Sequence, residues 1–180
     1  SGRTEEEISA ELMWPNILFR DELMIDLGSK TVSFIPTPGH SVDGVSVYVV
    51  EDRLLIAGDA VVTGIVIPAG SGDSRILEAS NRRLLDLDIE TLIPGHGPVL
   101  RGKKTVIDWI SWQIEYLSGI RQRIRALLAT GKDTDTIKAE IDFDSMIGDR
   151  LPRGLHNMPD RHLHNVETIL REVRGELGMQ

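Results

Sequence analysis

Three residues of this chain have the type and setting to hold a metal ion. His40 closes "TPGH", Asp59 closes "IAGD", and His96 lies inside "PGHG". Imidazole and ionised carboxylate are proper ligands for a borderline divalent cation. A glycine adjoins each of the three, and glycine lets the backbone turn sharply and approach closely. The chain has no cysteine, which excludes thiolate sites, disulfides and a cysteine nucleophile. Any ion must therefore be held by nitrogen and oxygen, a donor set that suits zinc, iron or manganese without choosing among them. One histidine in such a turn would weigh evenly between ligand and core. Three ligand-type residues, each where an apolar run gives way to a loop, point to a site held by a rigid scaffold.

The scaffold reads as strands first and helices later. From Asn16 to Val62 short apolar runs alternate with turn residues: "NILF", "ELMIDL", "TVSFI", "VSVYVV" and "LLIAG". "LGSK" at 27–30 and "VEDR" at 50–53 supply hairpin turns, so a mostly antiparallel sheet is expected. "VSVYVV" is interrupted only by Ser46 and Tyr48, and we expect it to be covered on both faces. Residues 74–87 read as a helix capped by Ser74, and 91–99 as a short strand running into a glycine-rich turn. A long helix is expected over 103–129, because Val106, Ile110, Ile114, Leu117, Ile120, Ile124 and Leu128 step by three or four and Gly131 follows as a stop. Smaller helices are expected at 3–12, 134–141 and 160–177, the last capped by Asp160. His156, His162 and His164 read as surface histidines. His162 and His164 are two apart, which on a helix turns them well away from each other.

The stretch "TPGHSVDGVSVYVVEDRLLIAGDAV", followed 37 residues after Asp59 by "IPGHGPV", resembles the second half of a metallo-β-lactamase-fold hydrolase. The resemblance runs from about Asn16 to Val99. It implies an α/β (α+β) fold: half of an αββα sandwich, mostly antiparallel, with covering helices and a helical C-terminal tail. Residues 1–100 would be the C-terminal half of the domain and 101–180 a helical tail packed on it. By motif, His40 would complete one metal site, His96 a second, and Asp59 would bridge the two ions, zinc or another divalent metal. The family's His-x-His-x-Asp-His segment, which supplies the other ligands, is absent. "RHLHNVE" at 161–167 does not replace it, having Val166 and Glu167 where Asp-His is needed. The resemblance therefore implies a half-site. The parent activity would be metal-dependent hydrolysis of an ester, thioester or amide bond, and no residue of this chain alone is assigned a catalytic role. The interval from Asp59 to His96 is too short for the inserted domain of nucleic-acid-cleaving branches.

Charge and composition narrow the partners. A net charge of −8 without a basic stripe argues against nucleic acid. No run approaches the ~20 apolar residues of a membrane span, and "SGRTEEEISA" has no signal-peptide grammar, so a cytoplasmic setting is expected. The chain opens without methionine, and its natural start is expected upstream. A lone half-sandwich would expose an apolar sheet face. It is therefore expected to pair with a missing N-terminal half or with a second copy of itself. Two main readings stand: a hydrolase half awaiting its complement, and a non-catalytic homodimeric or partner-binding protein built from the fold. An unrelated α/β protein with coincidental "PGH" turns is the third.

Overall fold

The computed structural model describes residues 15–69, 72–151 and 157–179. Six strands form one sheet in chain order: β1 (Leu23–Asp26), β2 (Thr31–Pro36), β3 (Val45–Val49), β4 (Leu54–Gly58), β5 (Thr91–Pro94) and β6 (Leu100–Arg101). The first four make an antiparallel meander, β5 pairs parallel with β4, and β6 returns antiparallel. A parallel pair needs a crossover, supplied here by helix α1 (Ser74–Leu84). Four more helices follow β6: α2 (Lys103–Ala129), α3 (Thr134–Glu140), α4 (Phe143–Ile147) and α5 (Met158–Glu176).

The expected α/β architecture with a mostly antiparallel sheet and a helical C-terminal region is what the chain forms. Several local details differ. Residues 16–19 form no strand. Helix α1 is capped by Asp73, whose Oδ1 accepts from the Arg75 and Ile76 N–H groups at 2.8 and 3.2 Å, while Ser74 is drawn into the core. Helix α5 begins two residues before Asp160, after Asn157 in a left-handed conformation (φ 70°). The two-residue β6 and the one-turn α4 carry too little periodicity to be read from sequence. The helix expected at 3–12 lies outside the described residues.

Strand β3 is not covered on both faces. Ser46 and Tyr48 point inward and are buried, whereas Val45 is 38% exposed and Val47 and Val49 are half-buried. Hydrogen bonding makes this orientation possible. The Ser46 hydroxyl donates to the Ala57 carbonyl at 3.1 Å and lies 2.9 Å from the Thr37 hydroxyl. The Tyr48 hydroxyl donates to the Asp88 carbonyl at 2.8 Å. Buried polar groups so satisfied carry little penalty, and the strand's alternation then sends its valines outward.

The sheet's inner face packs Ile35, Leu55, Ala57 and Leu92 against Leu84 of α1 and against Val106, Ile110 and Ile114 of α2. Further along α2 the same stripe turns to other neighbours: Leu117, Ile120 and Ile124 pack with Ile137, Ile147, Val166, Ile169 and Val173 of α3–α5. One long helix thus joins the two core clusters, and each cluster draws on residues from either side of position 100. Among the described residues no helix is long and apolar enough to cross a membrane.

Candidate functional site

Strand directions bring the three candidate residues to one place. Strands β2 and β4 each run antiparallel to β3, and β5 runs parallel to β4. The C-terminal ends of β2, β4 and β5 therefore share one end of the sheet, and His40, Asp59 and His96 lie in the loops that follow them. The Asp59 carboxylate sits between the two imidazoles. Nε2 of His40 is 3.6 Å from Oδ2, and Nε2 of His96 is 3.4 Å from Oδ1. The side chains are 29%, 40% and 65% exposed for His40, Asp59 and His96, so the group opens to solvent from the His96 side.

Two glycines explain why the turns have their composition. Gly39 has φ +128°, and a Cβ there would lie 2.2 Å from the Leu77 amide nitrogen of α1. A Cβ on Gly95 would lie 2.2 Å from Oδ1 of Asp59. Only hydrogen fits at either position. Backbone bonds then staple the loops together: Gly95 N–H donates to the Gly58 carbonyl at 2.8 Å, and Thr63 N–H donates to the His96 carbonyl at 2.8 Å. The Thr63 hydroxyl adds a 2.6 Å bond to the Pro98 carbonyl. Thr63 has no signature in the sequence, because its role depends on two loops 33 residues apart meeting in space.

The donor chemistry suits a divalent cation, but its arrangement is that of a bridge. Each imidazole faces a different oxygen of Asp59, so an ion held beside either one would draw one nitrogen and one oxygen from these three side chains. A tetrahedral ion needs about four ligands. Among the described residues, no group of three or more His, Cys, Asp or Glu side chains is arranged to hold one ion. The residues present thus fit two metals only in part.

The tail histidines divide. His164 is exposed, and beside it a surface cleft is lined by Pro68, Asn157 and Arg161. His156 lies outside the described residues. His162 is not a surface residue: it is 3% exposed, with Nδ1 2.9 Å from the Tyr116 hydroxyl and Nε2 2.8 Å from the Ile141 carbonyl. Burial pushes its pKa below the usual imidazole value, against the opposing influence of the Ile141 carbonyl and Asp142. The signal in the sequence was spacing, since His162, Val166, Ile169 and Val173 fall on one helical stripe. Asn165 shares that buried side.

Comparison with known proteins places these features in context. Residues 15–96 match the model of the metallo-beta-lactamase superfamily. A curated relative, the beta-lactamase-like protein 2 homolog of Caenorhabditis elegans, is 27% identical over 158 residues, 85% of this chain and 48% of the relative. The chain therefore spans about half the length of that relative. Among solved structures, a metallo-beta-lactamase family protein from Thermus thermophilus aligns with a TM-score of 0.60 at 19% identity, covering 97% of this chain and 55% of its own. The inverting sec-alkylsulfatase Pisa1 from Pseudomonas sp. aligns with a TM-score of 0.64 at 15% identity, covering 89% of this chain and 27% of its own. At these identities the two structures speak for the fold alone.

Proposed function

Starting from a chain with the metallo-β-lactamase fold, matched to the superfamily over residues 15–96, we propose that it is one half of a metal-dependent hydrolase. The parent reaction is cleavage of an ester, thioester or amide bond. The observation that carries this reading is the Asp59 carboxylate between two imidazoles, one oxygen toward each. In the assembled enzyme His40 and Oδ2 of Asp59 would serve one ion, and His96 and Oδ1 the other, with zinc or another divalent metal bound. When bound, such ions make water a nucleophile at neutral pH and polarise the scissile carbonyl. This chain supplies too few ligands to retain the ions, so it is inactive alone.

The partner in this reading is an N-terminal half bearing His-x-His-x-Asp-His, seated on the outward face of the sheet. Support comes from that face itself. The paired rows Leu23–Phe34–Val47–Ile56 and Ile25–Val32–Val49–Leu54 run across four strands, and none of these side chains is fully buried. An apolar surface of this kind is characteristic of an interface. The same face favours the second reading, a non-catalytic homodimer packed sheet to sheet.

The test is reconstitution. The chain is mixed with a separately produced segment of the nematode relative lying outside the 48% that the chain covers, and metal content and turnover of chromogenic esters and thioesters are measured. About two bound ions per complex, and turnover abolished by Asp59→Ala, are expected. A stable homodimer that ignores the added half and binds no metal would replace the hydrolase reading with the non-catalytic one.

A further inference from the structure

The helical tail carries a cationic cleft that involves none of His40, Asp59 and His96. It has a volume of about 260 Å3 and is lined by Thr134 and Lys138 of α3 and by Glu167, Leu170, Arg171 and Arg174 of α5. The whole chain has 28 acidic residues to 20 basic ones, yet here three cations face a single carboxylate. That carboxylate is already engaged. The Lys138 ammonium is 2.5 Å from Oε1 of Glu167, and this hydrogen bond holds the Glu167 carboxyl below the usual carboxylate range.

The two arginines are left without a counter-charge. Among the described residues neither forms an ion pair; neutral oxygens tether them instead. Nη2 of Arg171 donates to the Thr168 hydroxyl at 3.1 Å, and Nη2 of Arg174 donates to the Thr134 hydroxyl at 2.8 Å. Each guanidinium keeps further N–H groups for another acceptor, and Thr134 keeps its own hydroxyl proton. Arg171 and Arg174 are three apart, hence neighbours on the surface of α5, where like charges repel. An anion between them would turn that repulsion into attraction. Leu170, 3% exposed, contributes an apolar wall to the cleft. Charge of one sign beside a low-dielectric wall focuses the field that attracts a counter-ion.

The chemistry of the occupant follows from these donors. A phosphate monoester carries a charge of about −1.5 to −2 at pH 7, which matches the two uncompensated guanidinium groups. Guanidinium forks meet phosphate oxygens in pairs, a geometry that an ammonium cannot offer. The volume lies below the roughly 300–1,000 Å3 of pockets that enclose a whole small molecule, so the cleft suits a charged group.

We propose that the cleft between α3 and α5 is a binding site for a phosphate group, held between Arg171 and Arg174 with the Thr134 hydroxyl as a further donor. The helical tail thus binds a ligand in its own right, and the occupant ties α3 to α5. The hydrolase reading is not needed for this, since the cleft contains none of the three metal-type residues.

The test titrates the intact chain, kept free of divalent metal, with inorganic phosphate at constant ionic strength. At about pH 7.5 phosphate is largely dianionic. Binding is followed by ¹⁵N–¹H correlation of backbone amides and arginine Nε–H groups. Saturable shifts centred on Thr134, Lys138, Arg171 and Arg174 are expected, with no saturation by chloride or acetate. The double variant Arg171→Gln, Arg174→Gln should weaken phosphate binding by at least about tenfold. Arg101→Gln, a charge loss on β6, should leave it unchanged. Shifts that rise without saturating, or that saturate around other residues, would overturn the proposal, and neither observation needs a variant to fold. So would acetate binding as tightly as phosphate, a folded double variant that binds phosphate undiminished, or an equal loss in Arg101→Gln.

Discussion

At the residue scale, the side chains that matter here are polar groups in places usually given to apolar ones. Ser46, Tyr48, His162 and Asn165 are all buried, and each has its partners. His162 makes the consequence measurable. Burial lowers its folded-state pKa below the ordinary 6.5, so the unfolded chain binds the proton more readily. Stability then rises with pH wherever the unfolded state holds more protons. It is full above the unfolded pKa and is lost as pH falls from there through the lowered folded value. Urea denaturation between about pH 7.5 and pH 5 should show this fall in the unaltered chain and a shallower one in His162→Gln. Equal slopes in both proteins would mean that His162 contributes nothing to acid sensitivity.

At the element scale, the three longest helices meet at one ion-pair cluster. Arg121 of α2, 11% exposed, donates to Oε2 of Glu78 on α1 at 2.7 Å and to the Ser74 hydroxyl at 2.6 Å. That hydroxyl lies 2.5 Å from Glu172 of α5. Burial of Glu78 favours its neutral form, but Arg82 and Arg121 outweigh this and hold its pKa below the usual carboxylate value. Removing one partner of such a cluster strands the others. Arg121→Met should therefore cost about 3–5 kcal/mol in chemical denaturation. The double variant Arg121→Met, Glu78→Leu should recover part of the loss. A single variant as stable as the parent would show that the cluster is solvated and incidental.

At the scale of the whole molecule, the described residues cover the sheet on one side only. Its inner face lies under α1 and α2, while Ile56 on the outer face is 41% exposed and Val45 38%. Apolar area of this kind contributes roughly 25 cal/mol for each Å2 removed from water, less the cost of association. Val47 and Ile56 are directly opposed across β3 and β4, at the centre of this surface. The double variant Val47→Lys, Ile56→Lys should stay folded, because the inner core is untouched, and should sediment as a monomer. The unaltered chain should sediment as a larger species or bind the complementary half. Retention of the same assembly by the lysine variant would show that the contact lies elsewhere.

The sequence by itself determined the features that depend on neighbours along the chain. Short apolar runs between turn residues marked β1–β4 and β5, and spacing by three or four marked the long α2 with its glycine stop. Glycine-framed turns marked His40, Asp59 and His96, because close approach of backbone demands glycine wherever it occurs. Tertiary structure decided what depends on partners distant in sequence. It turned Ser46 and Tyr48 inward, since the acceptors that satisfy them, the carbonyls of Ala57 and Asp88, lie on other elements. It buried His162 against Tyr116, 46 residues away. It also linked Asn165 to the loop behind His40 across 96 and 98 residues. A hydrogen bond to a distant group leaves no period in the sequence, so such contacts become legible only once the chain has folded.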